Sequence, residues 1–379
     1  MSLIYHRLVV KLGTSLLTAG TDHLNLQTMA TLVEQIASLH RQNAEIVVVS
    51  SGAVAAGRHK LGKTQAERSV AHKQVLASIG QSSLMHAYEQ LFGWHHIVVA
   101  QALLTRADIM SRAGYLNARN TLLALSELKV VCIVNENDVV AVEELEEARF
   151  GDNDYLSAMV ANLVDADLLV ILSDIDGLYT ADPRLSPEAR LIPRVDKIDS
   201  RIESLAGGTN GRLGTGGMVT KIEAAKLATS SGVSTVIANG RERDVIPRLA
   251  QGEPLGTLFP TAITKLESRK RWMLSGLCCR GQLTVDGGAV KAITQNGRSL
   301  LSAGIREVKG DFQRGEVLEI LDLSGKVLGS GIANYSSADL EKIKGKHSDA
   351  ILQVLGYEYG EEAIHRNNMV TYERNEGVI

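Results

Sequence analysis

Two lysines lie where each could meet a phosphate group. Lys11 directly follows the apolar run RLVV (7–10), within KLGTS, and Lys221 ends the glycine-rich segment GRLGTGGMVTK (211–221). The backbone N–H groups of a glycine-rich turn, together with the positive end of a following helix, bind anions well. Phosphoryl transfer needs positive charge held in place against the phosphates. The pair therefore indicates phosphoryl transfer, although a lysine is by default a solvated surface residue and a glycine cluster can be only a turn.

A third segment, GRHKLGKT (57–64), matches the P-loop pattern G-x-x-x-x-G-K-[ST]. A true P-loop follows its strand directly, whereas here SSGAVAAG separates the apolar run EIVVV (45–49) from the last part of the match. Arg-His-Lys-Leu is also a bulky filling for a phosphate-binding turn. We interpret the match as chance. The string DLLVILSD (167–174) imitates a Walker B strand and keeps a P-loop enzyme open as an alternative.

Polar residues follow five of the six short β-branched runs. In open parallel sheets, ligands bind beyond the carboxyl ends of the strands, so these residues are candidates for one site. Strand ends are also where polar loops begin, and this is the alternative explanation for any single end. The residues are Lys11, the segment Ser50-Ser51-Gly52, the segment 135–138 (NEND), the pair Ser173-Asp174 and the pair Asn239-Gly240.

The segment GDND (151–154) precedes a helical pattern that begins near Leu156. Asp and Asn are natural N-cap residues, so one of the three side chains is explained by capping. Three in a row exceed that need. Together with 135–138 they could position a zwitterionic substrate, with carboxylates facing an ammonium group and amides facing a carboxylate.

The elements that must position these residues alternate along the first two thirds of the chain. The apolar runs are RLVV (7–10), EIVVV (45–49), HIVVA (96–100), VVCIV (130–134), DLLVIL (167–172) and STVIA (234–238). Helical periodicity lies between them, for example at Leu156, Met159, Val160, Leu163 and Val164. Strands that are apolar on both faces predict a mainly parallel sheet covered by helices on both sides, a three-layer α/β sandwich.

The composition changes near residue 260. ESRKRWML (267–274) is a basic connector, and short strand-like pieces with frequent glycine follow it. The piece LSGKV (323–327) predicts a hairpin turn. We expect domain boundaries at 1–262, a linker at 263–275, and a small β-rich domain with a C-terminal extension at 276–379.

Composition excludes several classes of protein. The 379 residues are 45% hydrophobic, 22% charged and 4% aromatic, with a formal net charge of −3. There is no basic bias for wholesale nucleic-acid binding and few aromatic side chains for base stacking. No apolar stretch reaches the length of a membrane span, and no signal peptide is evident. The three cysteines make no CxxC pair, which favours a reducing cytoplasm.

Taken together, the motifs resemble a known family. RLVVKLGTSLL, VSSGAVAAGR, VNENDVV, FGDNDYLSAMVA, LSDIDGLYTADPR and GTGGMVTKIEAA are similar to segments of the glutamate 5-kinases, a branch of the amino acid kinase family. GQLTVDGGAVKAI and the segments after it resemble the PUA domain, a small β-barrel, that bacterial members carry. The resemblance spans nearly the whole chain and implies ATP-dependent phosphorylation of the γ-carboxylate of L-glutamate, the first step of proline biosynthesis.

The resemblance also implies roles for individual residues. Catalysis would fall to Lys11 and Lys221, with Asp152 and Asp174 organising them. The substrate would be held by Ser51, Gly52, Asp138, Asn153 and Asp154. ATP would be bound by Lys11, Gly13, Thr14, Ser173, Asp174, Thr215, Gly216, Gly217, Met218, Val219, Thr220 and Lys221. No protein metal ligand is implied, and Mg²⁺ is expected to accompany ATP.

The resemblance further implies feedback inhibition by L-proline and a homo-oligomer, either a dimer or a tetramer. Two alternatives remain at this point. One is another family member that acts on aspartate, N-acetylglutamate or a nucleoside monophosphate. The other is an RNA-binding protein, because PUA domains often occur in RNA-modifying enzymes, although basic residues do not dominate 276–357.

Overall fold

The computed structural model describes residues 2–62, 69–141, 153–207, 216–261 and 279–372. The chain divides into two compact units, one of Met1–Met110 with Asn117–Lys265 and one of Ser111–Leu116 with Leu266–Ile379. The predicted linker at 263–275 lies outside the described residues, so the predicted domain boundaries stay a prediction.

The first unit is built on a seven-stranded sheet with the order β3-β4-β2-β1-β5-β6-β7. All neighbouring pairs are parallel except β6 with β7, which confirms the mainly parallel sheet predicted from the sequence. The strands are β1 (Arg7–Leu12), β2 (Glu45–Ser50), β3 (Val99–Leu104), β4 (Val131–Glu136), β5 (Leu168–Ser173), β6 (Ser234–Asn239) and β7 (Thr257–Phe259).

Helices cover both faces of this sheet. Leu8, Val10 and Leu12 of β1 pack in one core cluster with residues of α2 and α4. On the opposite face, α7 packs against β1, β2, β4 and β5 and against α9. The described helices between β1 and β7 along the chain are α1 (Thr14–Leu17), α2 (Leu26–Arg41), α3 (Ala53–Leu61), α4 (Val70–Gly93), α5 (Arg106–Met110), α6 (Arg112–Glu127), α7 (Asn153–Leu163), α8 (Ser200–Gly207), α9 (Gly216–Ser230) and α10 (Val245–Ala250).

The third strand is displaced from its predicted place. The run HIVVA (96–100) predicted a strand there, but β3 begins at Val99 and continues through Gln101 to Leu104. His96 has a φ of 59° and Ile97 closes a backbone turn onto Phe92. Because β3 is an edge strand, it tolerates a polar and half-exposed sequence that apolar patterning does not detect.

The second unit carries a five-stranded sheet with the order β10-β8-β11-β12-β14 and a two-stranded sheet of β13 and β9. Its elements are β8 (Gly281–Val285), α11 (Gly287–Thr294), β9 (Leu300–Leu301), β10 (Ile305–Gly310), β11 (Val317–Leu321), β12 (Val327–Ile332), α12 (Ser337–Ile343), α13 (Ile351–Leu355), β13 (Glu362–Ile364) and β14 (Met369–Thr371). The hairpin predicted at 323–327 is confirmed, because it joins the antiparallel pair β11 and β12.

No helix in the described parts of the chain combines the length and the apolar character needed to cross a membrane.

The P-loop match at 57–64 begins inside a helix. Gly57 lies in the middle of α3, the helix continues to Leu61, and Gly62, with a φ of 75°, ends it. A Cβ at Gly57 would stand 1.9 Å from the carbonyl oxygen of Leu76, and a Cβ at Gly80 would stand 1.8 Å from that of Ala53. The two glycines therefore let α3 and α4 cross in backbone contact. Gly57 serves helix packing rather than a phosphate turn, which supports the interpretation of the match as chance. Lys63 and Thr64 lie outside the described residues.

Replacement of Gly80 by Ala tests this crossing. The added methyl group meets backbone atoms of Ala53 and Gly57 that cannot move aside cheaply, so we expect a loss of roughly 1–3 kcal/mol in the free energy of unfolding. Urea denaturation measures it. Gly93→Ala is the matched control, because Gly93 also lies in α4 and a Cβ there meets nothing within 4 Å. Equal stability of the two variants would contradict the close crossing.

Candidate active site

One buried carboxylate joins the two lysines at the carboxyl edge of the sheet. Asp154 Oδ1 lies 2.6 Å from Lys11 Nζ, and Asp154 Oδ2 lies 3.0 Å from Lys221 Nζ. The three side chains are almost completely excluded from solvent, at 3%, 0% and 10% exposure for Lys11, Asp154 and Lys221. The structure thus brings together two lysines that are 210 positions apart in the sequence.

The alternation of β1 explains why Lys11 reaches Asp154. Successive side chains of a strand point to opposite faces. Val10 and Leu12 pack on the α2 side, so Lys11 faces the other layer, where α7 packs. Asp154 is in the first turn of α7, where the helix dipole favours a carboxylate.

The first turns of α9 supply the second lysine. Lys221 Nζ donates to the carbonyl oxygen of Gly217 at 2.9 Å as well as to Asp154. Thr220 Oγ1 donates to Asp154 Oδ2 at 2.9 Å. The ammonium group of Lys221 is therefore held in place by a carbonyl oxygen of its own helix and by the carboxylate of Asp154.

The two ammonium groups determine the charge of Asp154. Burial by itself raises the pKa of this carboxyl, because a charged group is costly away from water. The attraction of Lys11 and Lys221, with their hydrogen bonds, outweighs burial and places the pKa below its ordinary value. Asp154 is therefore ionised at neutral pH, and the cluster carries a net charge of about +1.

The other residues predicted to bind ATP differ in how far they are exposed to solvent. Gly13 precedes α1, and a Cβ on it would lie 3.5 Å from Lys11 Nζ. Thr14 is exposed at the first position of α1. Met218 and Val219 are half-buried in the first turns of α9, which begins at Gly216. Thr215 lies outside the described residues.

Among the described residues, the carboxylate that contacts both lysines is that of Asp154. Asp174 is exposed, and its Oδ1 accepts a hydrogen bond from Ser173 Oγ at 3.2 Å. Among the described residues, Asp174 makes no ion pair with either lysine. Asp152 lies outside the described residues, so its predicted role stays a prediction. Asp154 was grouped with the substrate-binding residues, since the sequence alone cannot tell which carboxylate of GDND turns inward.

A relay of amide side chains lies beside the lysine cluster. Asn153 Nδ2 donates to Ser51 Oγ at 2.8 Å, to Asn135 Oδ1 at 3.0 Å and to the Ser50 carbonyl oxygen at 3.3 Å. Asn135 Nδ2 in turn donates to Gln81 Oε1 at 2.8 Å. The relay links the ends of β2 and β4 to α7 and α4. It brings Ser51 and Asn153 together, as the prediction of a shared substrate site requires.

The remaining substrate-site predictions fall at the same edge. Gly52, which precedes α3, has a φ of 106° that favours glycine. Asp138 is half-buried in the turn after β4. Beneath Ser51, the hydroxyls of Ser50 and Tyr88 lie 2.7 Å apart and are fully buried. Burial raises the pKa of Tyr88, so this pair of hydroxyl groups is uncharged.

Two residues of the site were missed by the sequence analysis. Tyr88 and Gln81 come from α4, which has no glycine-rich turn and does not follow a strand. Gly80, directly before Gln81, was the available signal, because a glycine inside a long helix often marks the close approach of another backbone segment.

Replacement of Asp154 by Asn tests the charge arrangement. Asn removes the negative charge that Asp154 places between two buried ammonium groups, and we expect a loss of about 3–5 kcal/mol in the free energy of unfolding at neutral pH. Because the folded pKa of Asp154 is lowered, its contribution is complete above its unfolded pKa of about 4 and disappears as the pH falls through the folded value. The difference between the two proteins should therefore narrow below about pH 4.

Urea denaturation across the acid range measures this difference. Asp196→Asn is the control, because Asp196 pairs with Arg194 at the surface with 73% of its side chain exposed. A gap between wild type and Asp154→Asn that stayed constant with pH, or no gap at all, would contradict the proposed charge balance.

Comparison with known proteins identifies the family of this chain. Residues 6–239 match the model of the amino acid kinase family, and residues 281–355 match that of the PUA domain. The glutamate 5-kinase of Dehalococcoides mccartyi is 58% identical over 97% of this chain and 98% of its own length. That of Shewanella pealeana is 51% identical over the same shares. A solved UMP kinase from Bacillus anthracis, at 16% identity over 68% of this chain and 97% of its own, has a TM-score of 0.46, too low to bear on the fold.

A family model that matches most of the chain, and relatives at this identity over nearly their whole length, show which family this is. The chain therefore belongs to the amino acid kinase family, in its glutamate 5-kinase branch, and carries a PUA domain.

Proposed function

We propose that this protein transfers the γ-phosphoryl group of ATP to the γ-carboxylate of L-glutamate, which gives L-glutamyl 5-phosphate for proline biosynthesis. The observation that carries the proposal is the buried cluster of Lys11, Asp154 and Lys221. The relatives named glutamate 5-kinase, at 50–58% identity over almost the whole chain, supply the substrate.

The reaction does not require a side chain that transfers a proton. A γ-carboxylate oxygen of glutamate forms a bond to the γ-phosphorus as the bond to the β–γ bridging oxygen breaks, and ADP leaves. A carboxylate is ionised at neutral pH, so no general base has to activate it. Catalysis then depends on positioning and on neutralising the charge of the phosphoryl group.

The lysine cluster fits that requirement. Lys11 at the end of β1 and Lys221 near the start of α9 present two ammonium groups held by one carboxylate. Their positions are fixed before the reaction, so no reorganisation is required when charge moves toward the leaving oxygen. Asp154 keeps both lysines in place, and the net positive charge of the cluster remains available to the phosphates.

The nucleotide side combines Gly13, Thr14, Ser173, Asp174 and the segment 215–221 in our proposal. Among the described residues, no group of three or more Asp, Glu, His or Cys side chains could hold a metal ion. Mg²⁺ commonly binds through substrate phosphates and only one or two carboxylates. We therefore expect Mg²⁺ to be bound mainly by ATP, where it offsets part of the phosphate charge.

The acceptor side is proposed to combine Ser51, Gly52, Asp138 and Asn153. Asn153 adjoins Asp154 in the first turn of α7, so a glutamate held by the amide relay presents its γ-carboxylate toward the lysines. The same branch membership leads us to expect feedback inhibition by L-proline, a homo-oligomer and a cytoplasmic location.

A hydroxylamine trapping assay tests the substrate. Hydroxylamine converts an acyl phosphate into a stable hydroxamate, so product is measured with ATP, Mg²⁺ and one candidate acceptor at a time. We expect kcat/KM for L-glutamate to exceed that for L-aspartate by about tenfold or more, because one missing methylene withdraws the reacting carboxylate from the lysines. N-acetylglutamate, whose nitrogen is uncharged, should also react poorly. A preference for either competitor would refute the substrate.

A further inference from the structure

Two buried polar atoms of the amide relay have no partner. Gln81 Nε2 and Asn153 Oδ1 are excluded from solvent and, within the described residues, neither makes a hydrogen bond. A buried donor or acceptor without a hydrogen bond is costly, and such groups normally find a partner in the protein, in water or in a ligand. The two atoms are a donor and an acceptor at the two ends of one relay, so they form a matched pair.

The direction of the relay is fixed by the backbone. The Ser50 carbonyl oxygen can only accept, so the atom of Asn153 that faces it must be Nδ2. The same Nδ2 faces Asn135, which must therefore present Oδ1 to Asn153 and Nδ2 to Gln81. Gln81 accepts through Oε1, and its NH₂ group is left as a free donor.

The position of Gln81 follows from the helix crossing. Gly80 lets α4 approach the backbone of α3 at Ala53, immediately after the end of β2. Gln81 then reaches Asn135 at the end of β4. Asn153 adjoins Asp154 of the lysine cluster in the chain, Asn153 contacts Asn135, and Asn135 contacts Gln81. Gln81 is therefore the member of the relay separated from the lysines by the most contacts.

We propose that Gln81 determines specificity for the α-carboxylate of the amino acid substrate, to which its Nε2 donates a hydrogen bond. This inference rests on the proposed function, in which the γ-carboxylate of glutamate occupies the lysine end. An amide NH₂ suits a carboxylate and not an ammonium group, while Asn153 Oδ1 suits the α-ammonium group. A donor aimed at a charged carboxylate makes one of the stronger hydrogen bonds.

Gln81→Glu isolates this contact. Glu has nearly the same shape and keeps an acceptor for Asn135 Nδ2, but it replaces the free donor by a charged oxygen that repels a carboxylate. 4-Aminobutyrate is the matched probe, since it is glutamate without the α-carboxylate. We expect kcat/KM for glutamate to fall about 100-fold in the variant, from the lost charged hydrogen bond and the added repulsion. The kcat/KM for 4-aminobutyrate should not fall. If 4-aminobutyrate is not turned over, its inhibition constant against glutamate should not rise.

Gln81→Met provides a second variant without the added charge. It should raise the KM for glutamate about tenfold, with kcat and the KM for ATP little changed. Gln90→Glu and Gln90→Met are the controls, because Gln90 is an exposed glutamine of the same helix. Both should behave as wild type.

The outcomes separate this inference from the proposed function. If wild type forms hydroxamate from glutamate but Gln81→Glu lowers turnover of both substrates equally, Gln81 has only a structural role and the inference is wrong. Unchanged glutamate kinetics in both Gln81 variants also overturns it. If wild type does not form hydroxamate from glutamate, the proposed function fails first.

Discussion

Among the described residues, the site depends on the carboxylate of Asp154, which balances two ammonium groups away from water. Two buried lysines would repel one another and would be costly to desolvate, and Asp154 offsets both costs by forming an ion pair with each. Its place in the first turn of α7 adds the favourable end of the helix dipole. The sheet and the helices can be understood as the frame that brings β1, α7 and α9 to this carboxylate.

The side of the site proposed to bind glutamate depends on a different constraint, which is the direction of its hydrogen bonds. The carbonyl oxygen at the end of β2 orients Asn153, and that orientation passes through Asn135 to Gln81. The crossing of α3 and α4 at Gly57 and Gly80 brings the last member into reach. A packing feature that could be mistaken for part of a phosphate loop thus supports the recognition of the substrate instead.

The sequence predicted the parallel sheet, the helix at α7 and the placement of Lys11 at a strand end, because these depend on local apolar patterns. It placed β3 too early, since an edge strand with Gln101 lacks such a pattern. It also assigned Asp152 and Asp174 to organise the lysines, whereas the described carboxylate that contacts both of them is that of Asp154. That contact depends on which side chain the first turn of a helix directs inward, and on contacts between residues 67 positions apart, as for Asp154 and Lys221.

The kcat of Lys221→Ala, compared with that of Lys226→Ala, tests the role of the lysine cluster most directly. Lys226 lies in the same helix, and its surface ion pair with Glu203 leaves 61% of its side chain exposed. If Lys221 stabilises the migrating phosphoryl group, its loss lowers kcat roughly 100- to 1,000-fold, while Lys226→Ala and Lys63→Ala remain near wild type. A near-normal kcat for Lys221→Ala, or a larger loss for Lys63→Ala, would contradict the account and favour a P-loop.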